Sequence, residues 1–413
     1  MARRVVITGM GTVNPLGKTV FETWENLVSG VSGVGPITLF DASGWSVQIA
    51  CEVKNFNPAS YMDPREARRR DRCEQLATAA AKEALEHSGL AITEANAERV
   101  AVVVSSAIGG ISSLEAGVHT LTDQGARRLS PFLIPMLMPN GASGLVAIDT
   151  GAKGANFSVT SACASGADGI GAAWNLIRNG EADAAITGGT EHTICPIGIG
   201  AFDRLGAMSR HNDDYSMTPQ PFDKNRDGLV MGEGAAVLIL EELEHAKARG
   251  AQILAELAGY AATADAFHVT APTEDGAGGA AAMRRAMQVA GLNPEDVDYI
   301  NAHGTGTPLN DASETRAIKA AFGEYAYKVP VSSTKSMTGH MMGATGALEA
   351  IFCVKAIGTN CLPPTIHYQT PDPECDLDYV PNVARDWKVR AAMSNAFGFG
   401  GHNAVLVIQH FAG

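Results

Sequence analysis

Two places in the chain, 172 residues apart, are written to the same plan, and this constrains the fold more than any other feature. In each, a short apolar run meets a Ser/Thr-rich bend and then a helix-compatible stretch. The first is the run 156–160 (NFSVT), the bend Ser161-Ala162, Cys163, and a helix-like run over 164–177. The second is the run 329–332 (VPVS), the bend Ser333-Thr334, and Lys335. Setting Cys163 over Lys335 (335 − 163 = 172) lays Thr160-Ser161-Ala162 on Ser332-Ser333-Thr334. The identity is slight, yet paired strand-to-helix turns suit a duplicated α/β unit. Continuous apolar runs at 100–104 (VAVVV) and 184–187 (AAIT) read as buried parallel strands, with helical stretches at 74–87 and 167–179 between them. The scheme restarts near Ala255. The charged run 241–250 (EELEHAKARG) reads as a surface helix ended by a glycine. A boundary just behind it divides the chain into an N-terminal half, 1–250, and a C-terminal half, 251–413. A chain of 413 residues, 46% hydrophobic and 18% charged, is ample for both cores.

The chemistry starts at Cys163. A thiol at that turn would face the unpaired N–H groups and positive end of the following helix, which favour the nucleophilic thiolate. A lone cysteine in apolar surroundings is as commonly a small core residue, so its distant partners decide. They lie in the second half. His303 follows a strand-like run, 297–300 (VDYI), in the loop 301–308 (NAHGTGTP). Lys335 and His340 occupy 333–340 (STKSMTGH), ahead of a helix over 341–350. Loops after strands are where α/β folds place reactive side chains, and these strand ends raise a convergent polar set. No spacing matches a metal-ligand motif or a nucleotide cradle, so no metal is expected and the histidines read as hydrogen-bond donors.

Four segments in this order, 160–166 (TSACASG), 301–305 (NAHGT), 333–340 (STKSMTGH) and 395–403 (NAFGFGGHN), resemble the condensing-enzyme family of the thiolase-like superfamily, in its bacterial β-ketoacyl-acyl-carrier-protein synthase II branch. The resemblance runs from 4–9 (RVVITG) to 403–408 (NAVLVI), almost the whole chain. It implies a thiolase-like α/β fold of two duplicated halves in five layers, α-β-α-β-α, the first half carrying Cys163 and the second His303, Lys335 and His340. It implies a decarboxylative Claisen condensation: acyl carrier protein delivers an acyl group to Cys163, and malonyl carrier protein loses CO2 beside His303 and His340, elongating a fatty acyl chain. Lys335 keeps the electrostatics of His303 in order, and Glu349, three turns into the next helix, supports the network. The backbone N–H groups of Cys163 and Phe399 form the oxyanion hole. Thr305 and Thr307 hold the phosphopantetheine arm, which arrives on the carrier protein, so no dissociable cofactor is expected. Ile108, Phe202 and Phe399 line the acyl pocket, with Phe399 as its gate. The resemblance also implies a homodimer in which Phe132 reaches the partner's acyl pocket. The chain departs from many relatives at Thr305-Gly306-Thr307 (Thr-Ser-Thr) and at Gly401-His402-Asn403 (Gly-Gly-Thr-Asn), where His402 reads as structural.

Charge points to the partner. A net charge of −13 argues against nucleic acid. Arg65, Arg68, Arg69, Arg70 and Arg72 nonetheless crowd into eight residues, and Arg127-Arg128 form a second pair. On an acidic chain such clusters suit an acidic partner drawn in by steering. The resemblance implies that acyl carrier protein docks at Arg65, Arg68, Arg69, Arg127 and Arg128, with Arg204 close by. The opening MARR has no signal-peptide pattern, and no apolar run is long enough to span a bilayer. Seven cysteines without paired spacing suggest a reducing cytosol, hence a cytoplasmic protein without a membrane partner. Three alternatives remain open. A polyketide or aryl-polyene ketosynthase would share the same site. A degradative thiolase would need a second catalytic cysteine where this chain has Phe397-Gly398-Phe399, and Cys375 sits in a Pro/Asp-rich stretch unsuited to that role. A non-catalytic chain-length factor would lack the nucleophile.

Overall fold

The computed structural model describes residues 3–413, and nine strands in it join edge to edge. In chain order they are β1 (Val5–Val13), β2 (Val100–Ser105), β3 (Ala184–Glu191), β4 (Gly234–Glu242), β5 (Ala255–Ala264), β6 (Tyr299–Asn301), β7 (Val331–Ser332), β8 (Ala391–Gly398) and β9 (His402–Gln409). The helices that frame them are α1 (Arg72–Ser88), α2 (Ile111–Gln124), α3 (Gly141–Thr150), α4 (Ser165–Arg178), α5 (Ala277–Ala290), α6 (Pro308–Phe322) and α7 (Thr345–Thr359).

Across the sheet the strands run β2-β3-β4-β1-β5-β9-β8-β6-β7. The join of β1 to β5 is only two residue pairs, Val6 with Glu256 and Ile7 with Ala255, so two half-sheets meet at a narrow seam. Both halves have one plan. Numbered within its half, the second runs 3-2-4-5-1, and the first does too once the segment at Asn156 is put in third place. The segment 156–160, expected as a strand, makes only a parallel bridge from Asn156 to Val102 on β2. Its other side meets no strand among the described residues, so no ladder extends along it.

Helices fill the layers. α1 and α3 pack on β1–β4 from outside, α5 and α6 cover the second half-sheet, and α4 and α7 lie between, touching both. The result is α-β-α-β-α. Three apolar clusters occupy the interfaces: one around Leu76, Val102 and Val237, one around Met283, Ile300 and Val407, and a central one around Ile170, Trp174, Leu348 and Phe352. α7 is buried on nearly every side, which only a sandwiched position allows. Trp174 on α4 donates its indole N–H to the Leu257 carbonyl of β5 at 2.8 Å, tying the middle layer to the second sheet. α1 starts on a capping box of Asp71 and Glu74 and stops at left-handed Gly89. No helix among the described residues is long and apolar enough to cross a membrane.

The charged run 241–250 is not one surface helix. Glu241 and Glu242 end β4, and the helix spans only Leu243–Ala248. Strand alternation turns Glu241 inward, where it is buried and accepts hydrogen bonds from Arg249 Nε and His245 Nδ1, both at 2.8 Å, and from Thr8. Burial alone would raise its carboxyl, but these bonds pull it down to about 2 from an ordinary 4.5. The bond to Glu241 in turn raises His245. A depressed acid contributes stability above its unfolded value and loses it as pH falls toward its folded value. Glu241→Gln should therefore cost about 3 kcal/mol at neutral pH, and the gap to the parent should close between about pH 4.5 and pH 2. Denaturant unfolding across that range checks this; a gap independent of pH would overturn it.

Candidate active site

Cys163 lies two residues before α4, at a bend where Ala162 takes a left-handed φ of +52°. The bend pushes the thiol into a cavity of about 350 Å3, whose wall includes His303, His340, Thr305, Thr307, Phe202 and Phe399. Each group on the wall reaches it from the end of a strand: Cys163 after the Asn156 segment, His303 after β6, His340 after β7, and Phe399 after β8, while Lys335, also after β7, stays buried behind the wall. The ligating atoms of Cys163, His303 and His340 lie within 4.8 Å of one another. The two imidazoles meet edge to face, ring centres 5.4 Å apart. The Met342 thioether sits 3.9 Å from the Cys163 sulfur.

Phe399 can approach because Gly398 has no side chain; a Cβ there would lie 2.7 Å from the Ser161 carbonyl oxygen. The backbone N–H groups of Phe399 and Cys163 both bond toward the thiol. These are the two donors expected of the oxyanion hole. Thr305 and Thr307 hydroxyls pair at 2.9 Å in the cavity wall, and the Phe202 and Phe399 rings stack with centres 6.3 Å apart. Ile108, expected in the acyl pocket beyond the Phe399 gate, is not among the residues lining this cavity. Its amide is drawn instead to the Glu191 carboxylate at 3.3 Å.

Electrostatics depart from the sequence expectation. The helix end was expected to favour the thiolate, but burial dominates and pushes the Cys163 thiol up to about 12. Lys335 and the two backbone N–H groups oppose this, while buried Glu191 adds to it. Burial, reinforced by the Lys335 charge, holds His303 and His340 well below 6.5, so both are neutral at physiological pH. Lys335 Nζ donates to Glu349 at 2.6 Å inside the protein. Burial raises Glu349 to about 7 against the pull of Lys335. Glu349 sits in the second turn of α7, nearer its start than expected, because α7 begins only at Thr345.

Two residues were missed. Glu314 on α6 accepts the backbone N–H of His303 at 2.8 Å and of Gly304 at 2.7 Å, fixing the histidine loop. Glu191 accepts Ser106 Oγ at 2.7 Å and the Ala107 and Gly343 amides at 2.8 and 3.0 Å, tying the loop after β2 to the turn that carries Met342. An acid in a helical or apolar run carries no local mark of such a role. Behind the site, Asn301 Oδ1, Glu349 Oε2, Ser394 Oγ and Asn395 Oδ1 are buried with no hydrogen-bond partner, and Asn301 and Ser394 sit opposite each other on β6 and β8.

The arginine cluster divides. Arg65, Arg68, Arg69, Arg127, Arg128 and Arg204 are exposed. Arg70 is buried and pairs through both terminal nitrogens with Asp149, and Arg72 forks onto buried Glu233, so neither belongs to a surface patch. The Arg69 guanidinium lies 4.8 Å over the Phe132 ring. His402 is exposed at the start of β9, and Cys375 is buried outside the cavity wall.

Comparison with known proteins agrees with this geometry. The family models "Beta-ketoacyl synthase, N-terminal domain" and "Beta-ketoacyl synthase, C-terminal domain" match residues 2–246 and 254–369. The 3-oxoacyl-[acyl-carrier-protein] synthase 2 of Staphylococcus aureus (strain COL) is 52% identical over 409 residues, covering 99% of both chains. The protein of the same name from Synechocystis sp. is 50% identical over 409 residues, 99% of this chain and 98% of its own. Among solved structures, the AntDE:AntF complex of a type II PKS acyl-carrier protein with its ketosynthase bound to the hexaketide superposes with a TM-score of 0.93 at 35% identity, covering all of both chains.

A thiol near 12 should alkylate ever faster with pH. Iodoacetamide labelling of Cys163, followed by peptide mass, should accelerate about tenfold per pH unit from neutral to about pH 10 with no plateau. Lys335→Met should slow it at any fixed pH. A plateau near neutral pH would mean that the helix end, not burial, governs the sulfur.

Proposed function

Since the chain belongs to the beta-ketoacyl synthase family, we propose that it elongates fatty acyl chains by decarboxylative condensation on acyl carrier protein. The observation that carries this is the meeting of one thiol, two neutral imidazoles and two backbone donors in a single cavity. Relatives about half identical over the full length, both 3-oxoacyl-[acyl-carrier-protein] synthases, favour fatty acid synthesis over a polyketide role.

The Cys163 sulfur attacks the thioester carbonyl of acyl carrier protein. A sulfur–carbon bond forms, the oxyanion rests on the N–H groups of Cys163 and Phe399, and the pantetheine sulfur departs with the thiol proton. Malonyl carrier protein then enters along Thr305 and Thr307. Its C–CO2 bond breaks, CO2 leaves, and the enolate oxygen accepts hydrogen bonds from His303 and His340. The Thr345 hydroxyl, 3.1 Å from His340 Nδ1, can donate to that nitrogen and so keep the proton on Nε2, facing the enolate. The enolate carbon attacks the acyl carbonyl, and the tetrahedral intermediate collapses to β-ketoacyl carrier protein, expelling the Cys163 thiolate, which takes up a proton from solvent. Lys335, paired with Glu349, supplies positive potential for the developing charge without being exposed to water. The pantetheine arm arrives as part of the substrate, so the reaction requires no dissociable cofactor.

Exposed Arg65, Arg68, Arg69, Arg127 and Arg128 form the carrier dock, steering an acidic partner toward the cavity. The same reading gives a homodimer. α2 buries none of its residues, and Ile134 and Ile148 nearby are 63% and 76% exposed. That apolar face, beside the open edge at 156–160, supports a second copy of the chain as its cover. A cytoplasmic location completes the reading, since the seven free cysteines would stay reduced there.

Intact mass after incubation with long-chain acyl carrier protein, then with malonyl carrier protein, tests the chemistry. One acyl group should load onto Cys163 and leave as β-ketoacyl product only after the second addition. Cys163→Ala should abolish loading. His303→Ala or His340→Ala should still load but lose at least about a hundredfold in decarboxylation. Arg68→Glu with Arg128→Glu should slow loading from the carrier and not from a small acyl thioester. Loading from coenzyme A thioesters alone would move the assignment to a thiolase. Light scattering checks the assembly: the parent should weigh about twice the 43.0 kDa chain, and Ile134→Asp with Ile148→Asp should shift it toward the monomer. A monomeric parent would sink the dimer.

A further inference from the structure

The geometry that serves thioester chemistry also matches the coordination needs of a thiophilic metal ion. Cys163, His303 and His340 are 7%, 4% and 2% exposed, and one ligating atom from each lies within 4.8 Å of the others. His340 Nε2 is buried with no partner in the protein, because Thr345 engages the opposite ring nitrogen; His303 Nδ1 is likewise unpartnered. The imidazole ring centres stand 5.4 Å apart. Two imidazoles sharing one tetrahedral zinc place their ring centres about 5 Å apart, so the histidine pair needs little movement to share an ion. In sequence the three residues are 140 and 37 positions apart (303 − 163 and 340 − 303), which is why no motif announces them.

We infer that the unacylated site binds one soft divalent cation of the zinc type through Cys163 Sγ, His340 Nε2 and a ring nitrogen of His303, with the fourth position open to the cavity. On binding, the Cys163 S–H bond breaks, a sulfur–metal bond forms, and the proton leaves to solvent; no electrons change hands. The Thr345 hydroxyl rotates to accept from His340 Nδ1–H, which turns the Nε2 lone pair to the ion. The buried Lys335 charge opposes a second cation, but Glu349 at 2.6 Å makes that opposition the field of an ion pair. The consequence is competition: metal and acyl group need the same sulfur, so each excludes the other. This goes beyond the condensation reading and does not depend on which thioester the site accepts.

The test uses full-length, metal-stripped protein with its thiols reduced. Zn2+ binding is measured by competition with a chromophoric chelator, and Co2+ binding by visible and near-ultraviolet absorption. The expected result is one ion per chain, a tetrahedral Co2+ spectrum and a sulfur-to-cobalt charge-transfer band. All three should vanish when Cys163 is alkylated by iodoacetamide or acylated, neither of which requires a variant to fold. Cys163→Ser should remove the charge-transfer band, and Thr345→Val should weaken Zn2+ about tenfold through His340. Binding that survives alkylation of Cys163, or no binding to protein whose Cys163 is shown reduced, overturns the inference. Acyl loading of the same metal-free sample is read separately by mass, so failure here is distinguishable from failure of the condensation reading.

Discussion

The structure depends on how closely two buried helices approach. α4 and α7 form the middle layer, and their first turns are separated by glycine alone. A Cβ on Gly166 would lie 2.6 Å from the Gly343 carbonyl oxygen, and one on Gly189 would lie 2.3 Å from the same atom. No side chain fits there. This contact brings the turn bearing Cys163 against the turn bearing His340 and Met342. Two reactive turns, one from each half, thereby open into one cavity. A single methyl at that contact would separate the nucleophile from the groups that serve it.

Around this junction the protein has buried carboxylates and kept them from acting as free charges. Glu191 and Glu314 each accept several backbone N–H groups, so their role is to fix loop geometry. Glu349 pairs with the lone buried lysine. Burial and the Lys335 charge leave a site in which the imidazoles are neutral, and burial keeps the thiol protonated at rest. That favours charge which appears only during reaction: an oxyanion or enolate forming there meets donors already fixed in place.

The sequence was informative where function is written locally. Strand–bend–helix at Cys163 and at Lys335, and the loop carrying His303, could be read because turn chemistry and apolar runs mark them within a few residues. The five layers followed from the family resemblance, and α7, buried on nearly every side, bears out the middle layer. What could not be read was orientation. Arg70 and Arg72 look like their neighbours in a basic run, yet the chain turns into α1 there and points them at Asp149 and Glu233. Glu241 looks like the start of a charged surface helix, but strand register sends it inward. The thiol was misjudged because a helix end can be seen in sequence and the depth of burial cannot, and burial is the larger effect here. Glu191 and Glu314 were invisible because their partners are backbone groups of other loops, which only the folded chain brings to them.

The narrow seam between β1 and β5 has a consequence for how such a molecule could have arisen. With two residue pairs joining the half-sheets, cohesion between the halves rests on the shared middle layer. Each half supplies one of its helices, and each helix is covered by the other half. A lone unit of this design would leave its central helix bare on one side, an apolar surface too large to remain in water. The founding unit, before gene duplication, would therefore have been an obligate pair of identical chains. In a single chain the two corresponding turns need not match, and here one carries a nucleophile, Cys163, and the other a cation, Lys335.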